Sequence, residues 1–239
     1  MNLILFEPHE IDVPLPCGDR RAKHVLNVLR RRPGDTFDAG LVNGPKGKGT
    51  LVAIESNALR LAFSWGAAPS APDPITVVVG LPRPQTARDI LREATALGVA
   101  KIHFVAVGKG DPGYARSTLW SSGEWRRHLL AGAEQAFDPR VPEVTHGHPL
   151  AEVLDTLPPG GGRYSLDNYE APVALSRVEP TVGQSVVLAI GPERGWSADE
   201  RCRLRETGFV FVHLGARVLR VETAVIAALA LVRSRMDLM

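Results

Sequence analysis

The sequence predicts an α/β protein with a mainly parallel sheet, preceded by a small β-barrel. Up to about residue 65, short apolar runs alternate with Gly, Pro, Asn and Asp, which is typical of a small all-β unit. After residue 75, continuous apolar runs alternate with segments of helical spacing, which is typical of an α/β domain. The Ala- and Pro-rich stretch 66–74 between them is typical of a linker. A chain of 239 residues is long enough for both units.

In the first part, turn-forming residues bound each apolar run. Four strands are predicted, at Leu3–Phe6, Thr36–Gly40, Gly49–Ile54 and Leu59–Phe63. A short helix is predicted at His24–Arg31, where four of the eight residues are apolar.

In the second part, strands and helices alternate along the chain. We expect strands at Ile75–Gly80, Ile102–Val107, Arg163–Leu166, Val186–Ile190 and Val210–Leu214. We expect helices at 85–97, Glu124–Ala136, Ser197–Glu206 and Glu222–Arg235. The last helix is almost entirely apolar from Ala224 to Val232, so it should be deeply buried.

Composition excludes several classes of protein. Hydrophobic residues make up 44% of the chain and charged residues 23%, as in ordinary soluble domains. No apolar run approaches the roughly 18 residues of a membrane span, and the start does not resemble a signal peptide. Cys17 and Cys202 form neither a disulfide framework nor a zinc spacing. His146 and His148 have no further ligand nearby, so we assign them a surface or loop role. We therefore expect a cytoplasmic protein that binds no metal and no membrane.

Basic residues concentrate between residues 20 and 48, although the net charge is only +2. Such a cluster could neutralise phosphates of a nucleic acid. Taken alone, the charge cluster is explained more simply by a solvated surface, so charge by itself does not establish nucleic-acid binding.

The loop after the predicted strand Val186–Ile190 has the sequence IGPERGWS. In α/β sheets, ligands bind beyond the carboxyl ends of strands, in loops such as this one. Gly191 and Gly195 allow tight turns, and Ser197 with Glu200 forms a capping box for the next helix. An ordinary strand–helix loop would explain those features, but not a carboxylate and a guanidinium between two glycines.

The loop LGARVLRVETA at 214–224 follows the next strand and enters the last helix. Arg217 and Arg220 lie in an otherwise apolar segment, so each needs a polar partner or a ligand. On spacing alone, pairing with Glu193 or Glu222 is the simpler interpretation. Neither loop is a dinucleotide fingerprint or a P-loop.

Together, these loops resemble the RsmE family of 16S ribosomal RNA methyltransferases in the SPOUT superfamily. IGPERGWSADE is similar to the family pattern IGPEGGF-S-x-x-E, and LGARVLRVETA to LG-x-R-I-L-R-x-E-T-A. Further matches occur in the same order at His24 with Val28–Arg30, Gly34–Asp35, ATALGV, Arg116–Ser117 and Ala133–Gln135 with Arg140. The chain departs from the pattern at Arg194 (glycine in the family), at Val221 (threonine) and across Pro82–Thr86.

The resemblance implies a fold more specific than the periodicity does. It implies a PUA-like RNA-binding β-barrel at 1–68, followed by a SPOUT methyltransferase domain at 74–239. Residues from about 163 to 239 would form a deep trefoil knot, an exception to the usual topology rules. The family works as a homodimer with the active site at the subunit interface.

The resemblance also implies S-adenosylmethionine-dependent methylation of uracil N3 in 16S rRNA, on naked RNA or the small ribosomal subunit. Arg220 would stabilise charge on the uracil, and Glu193 would orient it or take part in proton transfer. Cofactor binding would involve Leu166, Asp167, Asn168, Ile190, Gly191, Pro192, Glu193, Gly195, Leu214, Gly215, Val218, Leu219 and Thr223. RNA binding would involve Arg20, Arg21, Lys23, His24, Arg30, Arg31, Arg32, Lys46, Lys48 and Arg116.

Two alternatives remain open from the sequence. The first keeps the fold but methylates another base or a ribose 2′-hydroxyl. The second is an RNA-binding paralogue without catalysis, which Arg194 favours because a long side chain replaces a glycine beside the pocket. Carbon-5 methylation would require a nucleophile such as an activated cysteine, and neither cysteine lies in a loop typical of one.

Overall fold

A computed structural model describes residues 3–179 and 184–239. The chain divides into two compact units. The small unit comprises Met1–Ala71 and Leu130–Val141, and the large unit comprises Pro72–Leu129 and Pro142–Met239. The second predicted domain, 74–239, therefore contains a segment that clusters with the first unit instead.

The small unit is built around a five-stranded sheet. Its strands are β1 (Ile4–Phe6), β2 (Leu15–Pro16), β3 (Thr36–Leu41), β4 (Lys46–Ile54) and β5 (Ala58–Trp65), in the order β1-β3-β4-β5-β2. β1 and β3 are parallel, and the other pairs are antiparallel. The four predicted strands are thus confirmed, and β2 is a two-residue strand that the pattern did not indicate.

The predicted helix of the small unit begins earlier than expected. Helix α1 (Arg20–Lys23) starts at Asp19, whose side chain caps it by accepting a hydrogen bond from the Arg21 N–H at 2.7 Å. It continues as π-helix at His24–Val28 and ends before Arg30, which has a positive φ of 54°. The predicted end at Arg31 is therefore wrong, because the helical backbone cannot pass through a left-handed residue.

Residues 130–141 join the small unit through apolar packing. Ala133 is buried with Leu3 and Leu5, and Leu130 and Phe137 pack around them. The Arg20 guanidinium also donates to both oxygens of Glu134 at 2.9 Å. Sequence periodicity found the helix at 124–136 but could not indicate that its second half packs on β1.

The large unit is a seven-stranded sheet with helices on both faces. Its strands are β6 (Asp73–Gly80), β7 (Val99–Ala106), β8 (Glu143–Pro149), β9 (Gly162–Leu166), β10 (Val173–Ala174), β11 (Val186–Ile190) and β12 (Val210–His213). Its helices are α2 (Pro84–Ala96), α3 (Thr118–Ser121), α4 (Glu124–Ala136, which crosses the division), α5 (Leu150–Thr156), α6 (Ala198–Glu206) and α7 (Val221–Arg235). Short 3-10 turns lie at Pro8–Glu10 in the small unit and at Tyr114–Arg116 and Leu175–Arg177 here.

The strand order is β10-β12-β9-β11-β6-β7-β8, and every neighbouring pair is parallel. The predicted parallel sheet is confirmed. The apolar face formed by Val187 and Ala189 packs with residues of α5 and α6, whereas α2 packs against α7. Covering both faces explains why β11 is buried at all five positions.

Helix α7 is less buried than its composition predicts. Its buried residues Val221, Val225, Ala228, Leu229 and Val232 follow one helical stripe. On the other side, Ile226 is 37% exposed. The expectation of a deeply buried helix is therefore wrong for that face, which leaves an apolar surface open.

The region 143–156 holds the main elements that the pattern did not indicate. His146 and His148 lie in β8, and the His146 ring stacks on buried Trp120 at 4.4 Å between centroids. A loop role for these histidines is therefore wrong, and only His148 is well exposed. A strand containing Gly, His and Pro has little β propensity, and its pairing with β7 decides its structure. In the part of the chain that the structure describes, no helix is long and apolar enough to span a membrane.

Candidate functional site

One cavity of about 770 Å³ in the large unit is lined by the loops that follow β9, β11 and β12. In a parallel sheet the carboxyl ends of neighbouring strands share one edge, so these loops meet there. The cavity brings together most of the residues predicted for the site. These are Leu166, Asp167, Asn168, Ile190, Gly191, Pro192, Glu193, Gly195, Leu214, Val218, Leu219 and Arg220.

Two of the residues predicted to bind the cofactor, Gly215 and Thr223, do not line the cavity. Gly215 has a φ of +109°, and its N–H donates to His213 Nδ1 at 3.0 Å, so it shapes the turn after β12. Thr223 lies on an exposed position of α7.

The lining also includes residues that the sequence analysis did not select. Among these are Arg83, Gln85, Thr86 and Asp89 at the start of α2, Tyr169 and Arg201, and Val221, Glu222 and Ala224 at the start of α7. The first four follow the carboxyl end of β6, so the rule that pointed to the other loops could have found them. Arg201 lies on α6 and carries no local signal.

Asp167 organises the loop after β9. Its side chain is only 2% exposed, and it accepts hydrogen bonds from the backbone N–H groups of Tyr169 and Glu170 at 2.8 and 2.9 Å. The Arg201 Nε donates to its second oxygen at 2.7 Å. Burial would raise the pKa of Asp167, but Arg201 and the two N–H groups outweigh it and hold this pKa below its ordinary value. Its carboxylate is therefore engaged within the protein.

The loop after β11 is a tight turn against the end of β6. The Gly195 N–H donates to the Pro192 carbonyl at 2.8 Å, and Gly195 has a φ of +66°. A Cβ on Gly191 would lie 3.1 Å from the Gly195 Cα, and one on Gly80 would lie 2.5 Å from the Pro192 Cδ. The expected capping box is confirmed, since Ser197 and Glu200 each accept from the other's N–H.

Arg194 fits this turn without strain. The left-handed conformation falls on Gly195, and Arg194 has a negative φ that any residue can adopt. Its side chain is exposed at the cavity. An arginine at this position therefore neither distorts the loop nor occupies buried space.

Glu193 pairs with Arg83, which corrects the partner predicted for it. The backbone N–H and Nε of Arg83 donate to Glu193 Oε1 at 3.1 and 3.4 Å. The expected pairing of Arg217 or Arg220 with Glu193 or Glu222 is wrong: no ion pair formed among residues 3–179 and 184–239 includes either arginine. Spacing along the chain could not reveal Arg83, which lies 110 residues before Glu193.

The loop after β12 leads into α7 through Arg220. Arg220 is the N-cap residue of α7, with an extended backbone, and its carbonyl accepts from the Ala224 N–H at 2.8 Å. Val218, two residues earlier, is 83% exposed although it is apolar. The arrangement places a free guanidinium and an uncovered apolar side chain at the same cavity.

Five arginines and four carboxylates line the cavity, which leaves an excess of one positive charge. Two of its arginines are paired, Arg83 with Glu193 and Arg201 with Asp167. The other three have no carboxylate partner within the described part of the chain; they are Arg194, Arg217 and Arg220. Guanidiniums without a carboxylate partner can stabilise a substrate that gains negative charge during a reaction. No group of three metal-ligating side chains occurs in the described ranges.

In the small unit, some of the predicted RNA-binding residues already have protein partners. Arg21 donates to Glu10 and Asp19 and lies over the Phe6 ring, with its side chain 16% exposed. Lys48 pairs with Asp38 at 2.6 Å, and Lys46 donates to the Phe137 carbonyl. These contacts give Arg21 in particular a structural role in the unit.

Other predicted RNA-binding residues are exposed and carry no ion pair within the described ranges. In the small unit these are Lys23, Arg30, Arg31 and Arg32; in the large unit, Arg116. Arg20 is 66% exposed even though it contacts Glu134. The Nε2 atom of His24 is buried without a hydrogen-bond partner, beside a second cavity of about 280 Å³.

Comparison with known proteins places the chain among RNA-modifying enzymes. Residues 69–233 match the family model of an RNA methyltransferase domain. Ribosomal RNA small subunit methyltransferase E from Treponema pallidum is 32% identical over 247 residues, covering 97% of this chain and 90% of that protein. The protein of the same name from Bacillus subtilis is 27% identical over 228 residues, covering 90% of this chain and 88% of its own.

Solved structures agree in fold. The ribosomal RNA small subunit methyltransferase E from Neisseria gonorrhoeae, bound to S-adenosyl methionine, superposes with a TM-score of 0.79 at 25% identity, covering 98% of this chain and 97% of that one. A probable rRNA methyltransferase from Porphyromonas gingivalis superposes at 0.84 and 20% identity, covering 99% of both chains. The second likeness concerns the fold alone.

Replacing Asp167 by Asn should destabilise the protein. The substitution removes the nearest charge partner of the Arg201 guanidinium, which is 12% exposed, and leaves it only Glu170 at 3.7 Å. Breaking a buried pair of this kind costs up to about 3 kcal/mol of unfolding free energy. Because the folded pKa is depressed, the contribution of Asp167 is fully present above its unfolded pKa of about 3.9 and is lost as pH falls through the folded value. Urea unfolding from pH 7 to 3 should show the difference from wild type narrowing below about pH 4.

The matched control is Asp155→Asn, which removes the exposed pair with Arg203 and should cost less than about 1 kcal/mol. Equal effects of the two substitutions would contradict the role of Asp167.

Proposed function

This chain belongs to the RNA methyltransferase family that includes ribosomal RNA small subunit methyltransferase E, and we propose that it transfers a methyl group from S-adenosylmethionine to N3 of a uracil in 16S rRNA. The observation that carries the proposal is the convergence of the loops after β9, β11 and β12 on one cavity. Those loops include both segments that match the family pattern. The acceptor atom is the finer part of the proposal and rests on the resemblance.

The residues of the cavity fit S-adenosylmethionine. Its volume is in the usual range for sites that hold small molecules. Leu166, Ile190 and Leu219 supply apolar walls for an adenine ring, and the glycine turn at 191–195 presents backbone groups at close approach. When bound, the cofactor supplies an electrophilic methyl group on its sulfonium.

Arg220 is the residue we assign to charge stabilisation. Loss of the proton from uracil N3 spreads negative charge onto O2 and O4, and a fixed guanidinium stabilises that charge where it develops. Arg220 lines the cavity and has no protein carboxylate to neutralise it among the described residues. Glu193 lines the same cavity, and Arg83 holds its Oε1, so its other oxygen can accept a proton or a hydrogen bond from the base.

RNA binding is assigned to exposed basic residues of both units. Lys23, Arg30, Arg31 and Arg32 in the small unit, and Arg116 in the large unit, can each contact a phosphate. Arg20 and Lys48 can exchange an exposed carboxylate partner for a phosphate at little cost. Arg21 remains a structural residue in this proposal, because two carboxylates hold it.

The finer features of the fold belong to the same proposal. The five-stranded sheet of the small unit supports a PUA-like barrel at 1–68, and the large unit supports a SPOUT domain at 74–239. A deep trefoil knot from about residue 163 onward is supported by the position of β11 between β9 and β6 and by the passage of the α7 entry loop along the same cavity.

We also propose that the enzyme is a cytoplasmic homodimer. The uncovered apolar face of α7 around Ile226 begins one turn after the cavity loop. Val218 and Tyr169 line the cavity and are 83% and 84% exposed. A second subunit on this surface would cover these side chains and complete the site.

The geometry does not favour loss of catalysis. The reason to consider a non-catalytic paralogue was Arg194, and this residue takes an ordinary backbone conformation with its side chain exposed. We therefore propose that the protein is an active methyltransferase.

Nucleoside analysis of 16S rRNA from a strain lacking this gene tests the proposal. We expect N3-methyluridine to disappear and to return when the gene is restored. An unchanged N3-methyluridine content would reject the assigned acceptor, and loss of a different methylated nucleoside would identify another one.

Arg220→Ala should abolish turnover with little loss of cofactor affinity. Removing one donor that stabilises developing negative charge typically lowers kcat by about 100- to 1000-fold. Single-turnover methylation of purified small-subunit RNA gives the rate, and calorimetry with S-adenosylhomocysteine gives the affinity. Arg177→Ala, at an exposed position of the same unit, is the control and should behave as wild type. Full activity of Arg220→Ala would show that the catalytic role is misplaced.

Ile226→Glu should convert the protein to a folded monomer of low activity. A carboxylate in an apolar contact is costly to desolvate, so association weakens while the exposed position tolerates the change in the monomer. Light scattering after gel filtration measures the mass. Val52→Glu, at an aliphatic position of the small unit that is 44% exposed, should stay dimeric. A monomeric wild-type protein, or a dimeric Ile226→Glu variant, would contradict the proposal.

A further inference from the structure

Lys109 contacts the connection between β11 and α6 from outside the cavity. Its ammonium donates to the Trp196 carbonyl at 2.8 Å and to the Arg194 carbonyl at 3.4 Å. Among the described residues no other side chain donates to these two carbonyls. Lys109 is half-buried and does not line the cavity, so it acts on the loop and not on a ligand.

A second contact from the same turn fixes the other end of this connection. The Gly108 N–H donates to Glu200 Oε1 at 2.7 Å, while Glu200 Oε2 accepts the Ser197 N–H at 2.7 Å in the capping box. The turn itself is closed by the Gly110 N–H, which donates to the Val107 carbonyl at 3.0 Å. Residues 107–110 thus form a brace, with contacts at positions 194, 196 and 200.

The brace holds the loop on both sides of a glycine. Gly195, between the two carbonyls that Lys109 holds, has a φ of +66°, and a glycine can leave that conformation at little cost. The next residue, Trp196, is fully buried and anchors the loop on one side only. Without Lys109, the two carbonyls would lose charge-assisted hydrogen bonds, which are stronger than neutral ones.

We propose that Lys109 is a positioning residue that holds the 191–197 loop in the conformation that binds the cofactor. The inference rests on the proposed function, because it concerns the affinity of the same cavity for S-adenosylmethionine. Lys109 lowers the cost of ordering the loop when the ligand binds, and it takes no part in methyl transfer. Its loss should therefore change KM for the cofactor and leave kcat nearly unchanged.

Three variants of the full chain test this role: Lys109→Met, Lys109→Arg and Lys101→Met. Lys109→Met keeps an unbranched side chain, one heavy atom shorter, that cannot donate, so we expect Kd for S-adenosylhomocysteine and KM for S-adenosylmethionine to rise about tenfold. Lys109→Arg can donate to both carbonyls and should restore most of the affinity. Lys101→Met removes an exposed lysine that pairs with Glu143 and should match wild type.

Hydrogen exchange of the unliganded proteins separates this inference from the proposed function. Amides at 194–197 should exchange faster in Lys109→Met than in wild type, whether or not the protein binds S-adenosylhomocysteine. A wild-type protein that fails to bind this ligand would reject the proposed function, while faster exchange would still support the brace. Unchanged exchange, unchanged Kd in Lys109→Met, or a loss of affinity that Lys109→Arg does not restore would overturn the role of Lys109.

Discussion

The geometry of the site depends on the buried ion pair between Asp167 and Arg201. Asp167 binds the guanidinium at 2.7 Å and two backbone N–H groups of its own loop, so one carboxylate fixes the loop after β9 to helix α6. The residue before Arg201, Glu200, caps α6 and binds the turn at Gly108. The first turn of α6 therefore connects three segments of the chain: the loop after β9, the loop after β11 and the turn at 107–110. Such a pair is retained at a desolvation cost, and its contribution here is to specify one arrangement of loops.

The parallel sheet brings the loops that line the cavity together at one edge. Strands β9, β11 and β12 end at one edge, and helices cover both faces, so this edge is where the connecting loops gather. Close contact between Gly80 and Pro192 brings the end of β6 against the loop after β11. Asp167 and Glu193 engage Arg201 and Arg83, whereas Arg194, Arg217 and Arg220 line the cavity without an ion pair among the described residues. Internal pairing thus shapes the loops, and the unpaired charges give the cavity its chemistry.

Sequence reasoning succeeded where local pattern and tertiary structure agree. Val186–Ile190 is a continuous apolar run buried on both sides, and its predicted bounds match the strand. The capping box at Ser197 was predicted because its two partners are three residues apart. Contacts distant in sequence could not be predicted in this way. Arg83 meets Glu193 only because β6 and β11 are neighbours in the sheet, and β8 forms because β7 offers it an edge. The open face of α7 was missed because composition does not show which side of an apolar helix is exposed.

The central claim is that this cavity is the cofactor site. Hydrogen exchange of the full-length protein with and without saturating S-adenosylhomocysteine tests it most directly. The account predicts slower exchange in the three loops 166–169, 191–197 and 214–220, with the small unit unchanged. Binding that protects a different region, or the absence of any protection at millimolar ligand, would contradict it.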